Sequence, residues 1–137
     1  MSDKMNNVRW FSMALKALIV LAENEGRCPS GKLAEKLESQ SVYLRKILTH
    51  LVKAGIISAK EGRDGGYSLS KKTEDIKLSE VYEAISAETV VKDYFETEGK
   101  DCFSGTSQQS LCDLQREMET WILEGLRSKS LSDLIEQ

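Results

Sequence analysis

The stretch "SVYLRKILTHLVKAGIISAKEGRDGGYSL", Ser41 to Leu69, decides the fold. In its first half Leu44, Ile47, Leu48 and Leu51 recur at i, i+3, i+4 and i+7, which gathers them on one side of a helix. The same winding turns Val42, Arg45, Lys46, Thr49, His50 and Lys53 to the other side. Arg45, Lys46 and Lys53 therefore point away from the core. Ser41 or Ser39 can cap this helix and Gly55 can stop it. In the second half, Ile56 to Lys60 is β-compatible and Tyr67-Ser68-Leu69 alternates as a strand does. Gly62, Gly65 and Gly66 between them accept positive φ without steric cost. The expected result is a two-stranded hairpin with an exposed tip bearing Arg63. An arginine on such a tip meets phosphates or enters a narrow minor groove.

Upstream, Val8, Phe11, Leu15, Leu18 and Ala22 recur at helical spacing, with Ala14 and Ile19 beside them. "NEGRCPS" ends this first helix, and Ser30 is the expected cap of a short second one carrying Leu33, Ala34 and Leu37. Two helices joined by a tight connection, the latter with a basic outer face, form the shape of a helix-turn-helix.

Downstream, "IKLSEVYEAI" predicts a helix from about Ser79 to Ala87, with Val81, Ala84 and Ile85 inward. "ETEGKDCFSGTSQQS" reads as a loop of roughly 15 residues. A long helix follows in which Leu111, Leu114, Met118, Trp121, Ile122 and Leu126 repeat close to every seven residues. That seam needs another helix to cover it. A second subunit is the expected cover, since C2 homodimers are the commonest assembly; the competing reading packs the seam back onto the first helix. "SLSDLIEQ" adds a short amphipathic turn. The expected architecture is mainly α with a small β-hairpin: a winged helix-turn-helix over residues 1-87, a sensor-like loop over 88-110, and a dimerisation helix with a C-terminal turn over 111-137.

Composition narrows the function. The 137 residues carry a net charge of -3, but the balance is uneven along the chain. Residues 1-72 hold 13 basic against 7 acidic side chains, and residues 73-137 hold 6 against 15. A basic first half suits phosphate binding, and an acidic second half stays off nucleic acid. No apolar run approaches the roughly 18 residues of a membrane span. The start "MSDKMNNVRW" has no apolar stretch of a signal peptide, so a cytoplasmic location with free thiols is expected. With one histidine, no phosphate-cradling glycine loop and no HExxH, no catalytic constellation assembles, and an enzyme is not expected. A winged helix used as a protein-interaction module is the alternative. The acidic second half permits it and Glu61 slightly favours it.

The whole pattern resembles the bacterial Rrf-type winged-helix regulators, a family that includes the iron-sulfur cluster regulator, a nitrite-sensitive repressor and a cysteine-metabolism repressor. The likeness rests on "KLAEKLESQSVYLRKILTHLVKAGII", "EGRDGGYSLSK", "IKLSEVYEAI" and "LCDLQREMETWILEGLRSKSLSDLI". It implies a homodimeric repressor on a palindromic double-stranded DNA operator, each recognition helix in a major groove and each wing at the adjacent minor groove. Carried onto this chain, the contacts to bases and phosphates fall on Gln40, Ser41, Val42, Tyr43, Arg45 and Lys46. One departure stands out: where many relatives have Arg-Gly at the wing, this chain has Glu61-Gly62, leaving Arg63 as the nearest arginine.

The resemblance also implies a sensor. Many members hold an iron-sulfur cluster on three cysteines in the loop before the dimer helix. Here Cys112 matches the last of these and Cys102 the first, while the middle one is absent and Cys28 lies far upstream. A cluster ordinarily takes four ligands. The open readings are a cluster completed by other donors, loss of the cluster site with Cys102 and Cys112 left as free or redox-active thiols, thiols with no sensing role, or a protein or small-molecule effector.

Overall fold

The computed structural model describes residues 7–24, 26–37, 41–86 and 105–135. Helix α1 spans Asn7–Glu23, α2 Ser30–Leu37 and α3 Ser41–Lys53. Strands β1 (Ile57–Lys60) and β2 (Gly66–Leu69) follow, then a 3-10 turn at Thr73–Asp75, α4 (Leu78–Ser86), α5 (Gly105–Arg127) and α6 (Ser132–Ile135). The arrangement is the expected one, mainly helical with one antiparallel hairpin.

The core lies among α1, α3 and α4. Leu44, Ile47, Leu48 and Leu51 are all buried, so α3 turns its predicted side inward. Burial of each such side chain is worth about 1.5–3 kcal/mol. On α1 the buried side is Trp10, Ala14, Ala17, Leu18 and Leu21, whereas Val8 is 72% exposed. The expected stripe was therefore rotated. A helix apolar on nearly every side offers more than one run at helical spacing, and the neighbours select the one that packs. Small Ala14 and Ala17, both fully buried, allow close approach of the facing elements. Phe11 meets Tyr82 of α4 edge-on, with ring centroids 5.4 Å apart.

The hairpin is paired from Ile57↔Leu69 to Lys60↔Gly66. A further rung was not legible in sequence: Cys28 and Tyr67 exchange two backbone hydrogen bonds of 2.9 Å, adding Cys28 to the free side of β2. This explains Gly66. Its φ is +144°, and a Cβ there would lie 2.6 Å from the carbonyl oxygen of Cys28. The Leu33 N–H donates to the carbonyl of Pro29 at 3.0 Å, which gives Pro29 the cap position expected of Ser30. Proline has no N–H of its own to satisfy there.

Two boundaries at the far end also differ from expectation. Helix α5 begins at Gly105 rather than Leu111, so residues 105–110 are helical and not loop. No proline interrupts them, and polar side chains help: Gln109 bonds Asp113 at 3.0 Å and Gln108 reaches the Cys112 sulfur at 3.8 Å, both one turn on. The C-terminal turn is more than an appendage. Leu131 is fully buried, and the segment around it bridges back to Ile76–Leu78 through two backbone bonds of 2.9 Å. Asp133 accepts from the Ser130 N–H at 2.8 Å, closing the start of α6.

Candidate nucleic-acid interface

Arg45, Lys46, Thr49 and Lys53 are exposed on α3. Among the described residues no carboxylate forms an ion pair with Arg45 or Lys46, so both charges face outward. The Thr49 hydroxyl donates to the Arg45 carbonyl at 2.8 Å, turned back on its own helix. His50 is half-buried at the flank, its imidazole 6.1 Å from the Trp10 indole at a tilt of 36°. Sequence placed it with the outward set; the structure puts it beside α1. Ser41, Val42 and Tyr43 form the first turn of α3, and Gln40 lies outside the described residues.

The wing tip is built by a turn in which the Gly65 N–H donates to the Gly62 carbonyl at 3.0 Å. Arg63 and Asp64 occupy its middle, exposed, next to exposed Lys60 and Glu61. Gly62 has φ +106°, and a Cβ on Gly65 would collide with the backbone of Lys60 and Glu61. Glycine at these positions is thus a condition for so tight a tip. The arginine of the tip carries an acid on either side, at Glu61 and Asp64.

The seam of α5 divides. Leu111 and Leu126 are half-buried, on the side that also carries buried Gln115, and α5 packs along α4. Leu114, Met118, Trp121 and Ile122 are exposed, Trp121 at 58%. Leu123, which the seven-residue pattern passed over, is half-buried.

The two described thiols, Cys28 and Cys112, are both free. Cys28 is fully buried and pinned by the wing sheet. Cys112 is half-buried on the third turn of α5, seven residues beyond Gly105, too far from the helix start for the free N–H groups of the first turn to act on it. Cys102 lies outside the described residues. Among the described residues no three His, Cys, Asp or Glu side chains come together as metal ligands. No helix among them is long and apolar enough to cross a membrane.

Comparison with known proteins agrees with this geometry. The chain is 29% identical over 136 residues to the HTH-type transcriptional regulator IscR of Cereibacter sphaeroides, covering 96% of this chain and 86% of that protein. It is 36% identical over 77 residues to a Rhodobacter capsulatus protein named as an rrf2-like HTH-type regulator, covering 53% of this chain and only 51%, about half, of that relative. Among solved structures, T. potens IscR superposes with a TM-score of 0.65 at 25% identity, covering 99% of this chain and 85% of that one. Residues 9–137 match the family Rrf2, described as "Iron-dependent Transcriptional regulator". The chain belongs to the Rrf2 family of transcriptional regulators.

Proposed function

We propose that this chain is a sequence-specific DNA-binding regulator, a homodimeric repressor that reads a palindromic operator with α3 and touches the flanking minor groove with its wing. The observation that carries the reading is the exposed pair Arg45 and Lys46 on a helix whose opposite side is buried completely. A helix held this way presents its cations to a major groove without rearrangement. The uncovered apolar stripe on α5 supports the dimer, since the commonest cover for such a stripe is the same helix of a second subunit.

Selection from a random duplex library tests it. An enriched palindrome with half-site centres about 34 Å apart is expected, the spacing of successive major grooves. Arg45→Ala and Lys46→Ala should then each weaken binding of that duplex by about 1–3 kcal/mol. Recovery of no enriched sequence, or full affinity in both variants, would sink the reading.

A further inference from the structure

The tip of the wing is slim and mixed in charge. Glycines stand at both ends of its turn, Gly62 before and Gly65-Gly66 after, so Arg63 and Asp64 are the two side chains at the apex. The Gly65 N–H closes the turn on the Gly62 carbonyl at 3.0 Å, which holds those two residues side by side. Behind them come Lys60 and Glu61, also exposed. Among the described residues none of these four charged groups forms an ion pair. Two cations and two carboxylates sum to zero, so the tip adds no net attraction to a polyanion. What it adds must come from the particular groups it meets.

Resting on the reading that the wing lies at a minor groove, we infer that Asp64 makes the wing a selector for guanine. Its carboxylate accepts from the guanine N2 amino group while Arg63 donates to acceptors beside it. An ionised carboxylate only accepts and a guanidinium only donates. Every base pair lays acceptors on the minor-groove floor, and G·C alone adds a donor, that amino group. An Arg-Asp apex is thus complementary to a floor that carries both kinds of group. Over A·T pairs Arg63 is matched but Asp64 faces acceptors only, and Glu61 behind it adds a second anion. The narrow groove of an A-tract sharpens the mismatch, because its negative potential is enhanced.

Inosine isolates the contact. In place of guanine it removes the N2 amino group and leaves the major-groove edge unchanged, so readout by α3 is untouched. Binding of one labelled mixed-sequence duplex is measured by anisotropy in its guanine form and in its inosine form. A third form carries 2,6-diaminopurine for adenine, which adds the amino group to every A·T pair. The parent protein is expected to bind the guanine form on the order of fivefold more tightly than the inosine form, and the diaminopurine form more tightly still. Asp64→Ala should bind the guanine and inosine forms alike, at an unchanged urea midpoint, since Asp64 is exposed. Glu74→Ala removes the same charge from an exposed position off the tip and should keep the parent's preference. Equal affinity of the parent for the guanine and inosine forms, or no gain from diaminopurine, overturns the assignment. So does a preference that persists in Asp64→Ala or disappears in Glu74→Ala. In each of those cases a weakened Lys46→Ala on the guanine form leaves the DNA-binding reading standing. If Arg45→Ala and Lys46→Ala also bind as the parent does, both ideas fall together.

Discussion

Helices α3 and α5 are both amphipathic, yet this chain completes only one of them. Every residue of the α3 apolar side, Leu44, Ile47, Leu48 and Leu51, is buried by its own fold. On α5, by contrast, Leu114, Met118, Trp121 and Ile122 remain exposed. The difference separates two jobs. Helix α3 is a mount whose product is an outward charge pattern; α5 keeps an apolar stripe that the described fold leaves uncovered. Substitutions on α3 should therefore be felt by the monomer, and those on α5 by the assembly.

The sharpest way to break that contrast is a matched pair of substitutions. Leu48→Ala empties a site in the core and is expected to cost about 2–5 kcal/mol in urea unfolding, at any protein concentration. Trp121→Glu should leave the folded monomer within about 0.5 kcal/mol but remove about 2 kcal/mol or more of association free energy, as loss of a central tryptophan does. Sedimentation would then report a monomer, and the midpoint of melting would lose its dependence on concentration. A variant that still sedimented as a dimer would move the interface off α5.

The cysteines extend the contrast to smaller effects. Cys28→Ser places a hydroxyl in the sealed core beside the wing and should cost about 1–3 kcal/mol by thermal unfolding. Cys112→Ser, at a half-buried position on α5, should change stability by less than about 0.5 kcal/mol. Equal costs would contradict the structural role given to Cys28. Smallest of all, Lys71→Ala removes a partly exposed ion pair to Glu80 of 3.3 Å, expected to be worth about 0–1 kcal/mol and to weaken in high salt. A larger loss would mean that the entry to α4 is held chiefly by charge rather than by buried Leu78 and Val81.

Much of the side that carries α3 and the wing was legible because its signals are local. The buried positions of α3 follow from spacing alone, and the turn glycines are dictated by backbone geometry within a few residues. The α1 stripe was not legible in the same way. Its sequence "NVRWFSMALKALIVLAE" is apolar almost all round, so periodicity names no unique inner side until α3 and α4 choose one. The same holds for His50, whose outward position in a helical projection ignores the neighbouring Trp10. Leu131 is a third case: the short turn that carries it gives no hint that its backbone will bridge to residue 76. The start of α5 was missed for another reason. Gly, Ser and Thr favour loops on average, but i, i+4 contacts inside a long helix outweigh that preference.

The sequence by itself determined the helix-turn-helix, the glycine-built wing and the outward cations of α3, because helical and hairpin periods act over neighbouring residues and need no distant partner. Only the tertiary structure decided which side of α1 is buried, that Cys28 is a rung of the wing sheet, and that Leu131 closes the core. Those outcomes depend on packing between segments tens of residues apart, where steric fit and backbone hydrogen bonding choose among patterns that the local chain leaves equivalent.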